Sequence, residues 1–135
     1  MNHFNETLSV KTNRRNEMID ITAEVSATVE KSGVESGIAI VFCPHTTAGI
    51  TINENADPDV PHDILLTLEE LIPHHRKGYR HNEGNSDAHV KSSLVGASQT
   101  VLIQNGQLEL GIWQAVFFCE FDGPRSRKVH LRITG

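Results

Sequence analysis

Cysteine is scarce in this chain, which has only Cys43 and Cys119 among 135 residues. Each thiol lies within an apolar, strand-like run, and the two form no CxxC pair, so a disulfide framework is not expected. We expect both to be buried, reduced and structural. The alternative is that Cys43, two residues before His45, ligates a metal, because thiolate and imidazole both bind zinc.

Positive charge and long apolar runs are also lacking. Lys and Arg number 12 against 17 Asp and Glu, a net charge of −5, which gives no general attraction to polyanions. No apolar run approaches the roughly 20 residues that span a bilayer, and Met1–Phe4 has neither the basic start nor the apolar stretch of a signal peptide. We therefore expect a cytoplasmic protein that binds neither nucleic acid nor membranes.

Three glycine-rich catalytic motifs are missing. The sequence contains no GxxxxGK[ST] or GxGxxG loop, which excludes the standard nucleotide cradles, and no GxSxG elbow. A nucleophilic triad built on Ser92 or Ser93 therefore has no motif to support it.

Alternating and continuous apolar patterns predict a mainly β chain of one domain, residues 1–135. The run Gly37–Cys43 is continuously apolar, which predicts a strand covered on both faces. Asn105-Gly106 predicts a hairpin turn, and the alternation near the end places Val129, Leu131 and Ile133 inside. The predicted strands are Phe4–Val10, Gly37–Cys43, Ile50–Glu54, Thr100–Ile103, one long strand or two over 108–121, and Val129–Ile133.

Helical spacing predicts two main helices and one short one. The first follows Asp20 as its N-cap and stops at Gly33, and the second occupies the segment between Pro58 and Pro73, with six apolar residues on one face. Asp87 is the predicted cap of the short third helix. The fold class is therefore α+β, a sandwich-like, mainly antiparallel sheet with helices packed on it.

Histidine is the abundant residue of the composition, with eight in the chain and five between His62 and His89. Two polar segments, His45–Asn53 and His81–His89, concentrate imidazoles, amides and carboxylates beside predicted strand and helix ends. If the loop over residues 73–88 folds back, His45, His81 and His89 converge on one divalent ion. Zinc is favoured, with magnesium or manganese as alternatives. Asn53, Glu54 and Asp87 would orient the rings or transfer protons.

A second group of residues could bind phosphate through charge and hydroxyl donation. It comprises Lys91, Ser92, Ser93, Arg125 and Arg127. The alternative is that these side chains are simply solvated surface, which is usual for isolated basic residues.

Several short motifs together resemble the YjbQ family, also called the secondary thiamine-phosphate synthase family, over nearly the whole chain. They are His45-Thr46-Thr47-Ala48, the run from Asn53 to Val60, His81 with Glu83-Gly84, the run from His89 to Ser93, and Gly111-Ile112-Trp113-Gln114. The resemblance implies a small α+β sandwich that assembles as a homotrimer.

The activity implied by this resemblance joins a pyrimidine methyl diphosphate to a thiazole phosphate and releases pyrophosphate. Such chemistry needs a metal and cationic groups to hold the diphosphate, and His45, His81 and His89, with Lys91 and Arg125, would fill those roles. Two alternatives stay open: a non-catalytic metal or small-molecule binding protein, and a hydrolase using metal-bound water with Glu54 or Asp87 as general base.

Overall fold

Antiparallel strands and three helices form the computed structural model, which describes residues 3–135. The strands are β1 His3–Lys11, β2 Glu17–Asp20, β3 Ser36–Phe42, β4 Ala48–Glu54, β5 Ser98–Gln104, β6 Gln107–Leu108, β7 Gln114–Glu120 and β8 Ser126–Thr134. The helices are α1 Thr22–Ser32, α2 Asp59–Leu71 and α3 Ser86–Val95. The predicted α+β class, with two main helices and a shorter third, is confirmed.

Two sheets divide the strands. One has five strands in the order β1-β8-β3-β5-β6, and the other has three in the order β2-β7-β4, with every described pairing antiparallel. Apolar side chains from both sheets meet in one core cluster, to which Val41 of β3, Leu131 of β8 and Phe118 of β7 belong. The sheets therefore form a sandwich, as the alternating strand patterns predicted.

The helices cover different parts of this sandwich. Residue Val29 of α1 packs with Ala39, Ile103 and Ile133 at one side of the five-stranded sheet. The outer face of the three-stranded sheet, represented by Phe117, is covered by α2 and α3. The chain thus has three layers, and α3 is placed beside β4 and β7.

Local sequence signals explain several element ends. The N-cap of α1 is Ile21, not the predicted Asp20, although the backbone N–H of Thr22 donates to Asp20 Oδ1 at 2.8 Å. The helix ends as predicted at Gly33, whose φ of 70° is the left-handed conformation that glycine adopts without strain. At the β5–β6 hairpin, Asn105 and Gly106 have φ of 54° and 73°. Both positive angles are those of the hairpin turn that this pair of residues predicted.

Three local features differ from the predictions. Strand β2 was not predicted, and β3 is buried on one face only, since Ala39 and Val41 are inaccessible whereas Phe42 is 42% exposed. The N-cap of α3 is Asn85, not Asp87. The predicted helix α2 is present, and Leu65 and Leu68 of its apolar face pack against the core around Phe117, although no described residue of α2 is fully buried.

Candidate functional site

Two of the three predicted metal ligands lie together at the junction of the α2–α3 loop and α3. The rings of His81 and His89 are perpendicular, with centroids 5.4 Å apart. The Nε2 atom of His81 is also 3.6 Å from Glu83 Oε2, and both of these side chains are largely exposed. The loop therefore brings the imidazole of His81 and the carboxylate of Glu83 to a solvent-accessible position beside His89 of α3.

His45, the third predicted ligand, is engaged elsewhere. Its Nε2 accepts a hydrogen bond from the backbone N–H of Lys128 on β8, at 2.9 Å. Burial and the nearby charge of Arg127 lower the pKa of His45, so its ring is neutral at pH 7. A nitrogen that accepts a hydrogen bond has no free lone pair for a metal, so this arrangement leaves His45 outside the His81–His89 pair.

Asp87 and Lys91 form a buried ion network with three neighbours. The Asp87 carboxylate is held by both terminal nitrogens of Arg15 at 2.9 Å, and its Oδ2 is 3.1 Å from Lys91 Nζ. Lys91 Nζ also bonds Glu69 Oε2 at 2.8 Å and Asn16 Oδ1 at 3.3 Å. Both Asp87 and Lys91 are completely inaccessible to solvent. All three ammonium donors of Lys91 are thus satisfied inside the chain, so it presents none to a phosphate.

The protonation of Asp87 follows from the same contacts. Burial by itself would raise the pKa of this carboxyl, but the hydrogen bonds and charges of Arg15 and Lys91 outweigh it and hold the pKa below its ordinary value. Asp87 is therefore an ionised structural partner at neutral pH, not an accessible base.

The other predicted phosphate ligands are also held by the chain itself. Ser92 Oγ donates to the carbonyl of Ala48 at 2.7 Å and is buried. The Arg125 guanidinium, half exposed, bonds the backbone oxygen of Asp122 at 2.8 Å and its carboxylate at 2.9 Å. Ser92 therefore joins α3 to β4, and Arg125 closes the turn before β8.

Asn53 and Glu54 lie at the end of β4, paired in register with Ala115 and Gln114 of β7. The exposed Asn53 uses Oδ1 to accept the backbone N–H of Glu54 at 2.8 Å. Over residues 3–135, no group of three or more His, Cys, Asp or Glu side chains is placed to hold a metal ion. Within these residues, no such group joins Glu54 to the histidines.

A second buried network was missed by the sequence reasoning. Arg127 Nε donates to Glu120 Oε1 at 2.8 Å, its terminal nitrogen reaches Glu120 Oε2 and Thr47 Oγ1, and Thr12 Oγ1 donates to the same carboxylate at 2.8 Å. The signal was available, since Arg127 shares the inward alternation of Val129 on β8. This network joins β8 to β7. It engages the guanidinium of Arg127, the group that was considered as a phosphate ligand, in contacts within the chain.

Both cysteines are free and buried, as predicted. Burial raises the pKa of Cys119 to about 12 and raises that of Cys43 as well, so both are thiols at neutral pH. Metals bind the thiolate form, which makes Cys43 a poor ligand.

Comparisons with known proteins agree with the sandwich fold. The family described as UPF0047 protein YjbQ-like matches residues 6–135. UPF0047 protein YugU of Bacillus subtilis is 56% identical over 130 residues, which cover 96% of this chain and 98% of YugU. The crystal structure of an uncharacterised conserved YjbQ/UPF0047 protein from Clostridium acetobutylicum superposes with a TM-score of 0.94 at 56% identity, covering 96% of this chain and 99% of that one. A YbjQ-like protein of unknown function from Sulfolobus solfataricus gives a TM-score of 0.95 at 35% identity, over 99% and 98% of the two chains.

Among residues 3–135, none of the helices is both long and apolar enough to cross a bilayer.

Proposed function

Because the chain belongs to the YjbQ/UPF0047 family, we propose that it is a cytoplasmic, metal-dependent enzyme acting on a small phosphorylated substrate. The reaction proposed is a condensation of the thiamine-phosphate synthase type. In it, a thiazole nitrogen forms a bond to the carbon of a diphosphate ester, the carbon–oxygen bond breaks, and pyrophosphate leaves. The observation that supports this proposal most is the perpendicular pair of His81 and His89, 5.4 Å apart beside a polar loop.

The donors present suit a divalent ion, with zinc favoured. Two neutral imidazoles are typical zinc ligands, and Glu83 lies close enough to His81 to fix its ring orientation by a hydrogen bond after a small adjustment. A bound ion would supply Lewis-acid stabilisation of charge developing on a leaving phosphate. Because one chain offers two imidazoles, the remaining positions are left for water, a phosphate oxygen or a neighbouring copy.

A second candidate function is non-catalytic binding of a metal or small molecule. Its support is the state of Asp87, the strongest predicted acid–base residue, whose two carboxylate oxygens are both bonded to buried or half-buried cations. A residue in that state cannot exchange protons with a substrate without breaking the network. The two functions therefore share one site and differ in turnover.

Turnover separates these candidates. We expect zinc-loaded protein to release pyrophosphate when given both a pyrimidine methyl diphosphate and a thiazole phosphate, and chelator-treated protein to release none. Pyrophosphate release measured by a coupled colorimetric assay tests this. Stoichiometric metal without turnover of any phosphate ester or diphosphate would instead support the binding protein, and phosphate release from either substrate alone would support the hydrolase.

The assembly proposed is a homotrimer. In its support, α2 leaves Leu66 50% and Leu71 67% exposed, and the turn before β7 leaves Ile112 88% and Trp113 60% exposed. Large apolar side chains exposed in such number are typical of surfaces that another copy covers. We expect light scattering at micromolar concentration to give the mass of three chains, whereas a well-folded monomer would contradict the proposal.

A further inference from the structure

A pocket of about 390 Å³ lies between the α2–α3 loop and the first residue of α3. Its loop wall consists of His74, His75, Arg76, Lys77, Tyr79 and His81. Ser86 and Gly84 complete the lining, so over residues 3–135 no Asp or Glu side chain contributes to it. In a chain with a net charge of −5, this pocket is locally basic.

Arg76 and Lys77 are available to a ligand. Both are exposed, and neither takes part in a salt bridge in the described part of the chain. By contrast, Lys91 and Arg125, the cations that the sequence favoured for phosphate, are bonded to Asp87 and Asp122. Within the described residues, the loop therefore carries exposed cations that form no salt bridge, whereas Lys91 on α3 and Arg125 at the final turn are paired.

The loop is held in shape by contacts of its own. The rings of His74 and His75 stack with centroids 4.0 Å apart, and His74 Nε2 donates to the backbone oxygen of Gly84 at 2.7 Å. The Tyr79 hydroxyl donates to the carbonyl of Pro73 at 3.1 Å. These bonds tie both ends of the loop together, which reduces the ordering cost when an anion binds.

We propose that this pocket binds the phosphate or diphosphate group of the substrate, with Arg76 and Lys77 as its charged donors. His81 joins the pocket to the histidine pair, because it belongs to both. The assignment of the anion as a substrate's phosphate rests on the proposed function. The volume is that of a small-molecule site, whereas a nucleic-acid backbone needs an extended basic stripe.

The experiment is a calorimetric titration of metal-free protein with inorganic pyrophosphate, in chelator and at constant ionic strength. We expect saturable binding that weakens at least about tenfold in Arg76→Ala/Lys77→Ala, because two charge-assisted hydrogen bonds are lost. The matched control is Lys11→Ala/Arg14→Ala, which removes two exposed cations that lie outside the pocket. The affinity of this control for pyrophosphate should change by less than about twofold, because salt screens the effect of charges that lie outside the pocket.

Two outcomes would overturn the proposal: no saturable binding, or equal weakening in both double variants. Tighter binding of a single-stranded oligonucleotide, lost in Arg76→Ala/Lys77→Ala, would overturn the small-molecule assignment. Because the titration contains no metal, its result is separate from the enzyme proposal. Anion binding in a protein that takes up no metal would keep the subsite and refute metal-dependent catalysis, whereas metal uptake without anion binding would refute the subsite alone.

Discussion

Replacing Asp87 with alanine is expected to lower the free energy of unfolding by about 3 to 5 kcal/mol, the cost typical of removing one partner from a buried ion pair. The carboxylate is inaccessible to solvent and accepts hydrogen bonds from Arg15 and Lys91. Without it, the equally buried Lys91 keeps only Glu69 and Asn16 as partners. Urea denaturation of the variant and the wild type measures the difference.

Two control variants sharpen this expectation. Asp87→Ala/Lys91→Met should recover part of the loss, because it removes the buried ammonium and leaves only the partly exposed charges of Arg15 and Glu69 without an ion-pair partner. Lys31→Ala removes an exposed partner of Glu6 and should change the free energy of unfolding by less than about 1 kcal/mol. Unchanged stability of Asp87→Ala together with lost turnover would contradict the structural role and return Asp87 to catalysis.

The effect of Asp87 also depends on pH. Because its pKa is lowered in the folded protein, the carboxylate contributes stability above the unfolded pKa, about 3.9, and this contribution is lost as the pH falls through the lower folded value. The difference in unfolding free energy between wild type and Asp87→Ala should therefore be constant near neutral pH. It should shrink below about pH 4.

His89→Ala is expected to reduce bound divalent metal from about one ion per chain to almost none. Removing one of two imidazoles leaves His81 as a single exposed ligand, which is too few for stable binding in water. The fold should persist, because His89 lies on α3 and alanine is the best helix former. Elemental analysis after zinc loading and gel filtration measures the change.

The matched control for this variant is His62→Ala. His62 is an exposed histidine on α2, and its side chain bonds only Asp63 among the described residues. It should retain the metal of the wild type. Equal metal content in the two variants would show that the ion binds elsewhere, and loss of metal from Cys43→Ser would identify the thiol as a ligand instead.

The sequence was most informative where one short segment determines its own structure. Asn105-Gly106 needs positive φ at both residues and forms the predicted turn, and Gly33 ends α1. Alternation on β8 correctly placed Val129, Leu131 and Ile133 inside. These features depend on backbone sterics and side-chain periodicity, which are local properties.

Pairing between distant residues was not readable in the same way. Arg15 and Asp87 are 72 residues apart, and nothing local indicates that the charged side chain of Asp87 enters the interior. The role of His45, which follows β3, likewise depends on Lys128 of β8, a strand that pairs with β3 but lies far away in the sequence. A polar residue type suggests which chemistry is possible, but its partner decides whether it remains free for a ligand.

The one-sided burial of β3 has a similar origin. Its continuous apolar run predicted cover on both faces, yet Phe42 lies on the open face of the five-stranded sheet. The pattern reports how apolar the strand is, not whether another layer or another copy supplies the cover.

The proposed enzyme depends on one divalent ion held by His81 and His89. Anomalous diffraction at the zinc edge, from crystals of protein loaded with zinc, locates that ion. We expect one strong peak about 2.0 to 2.1 Å from a ring nitrogen of each histidine. A zinc peak at other residues, with both rings ordered and without a bound ion, would refute the proposed site.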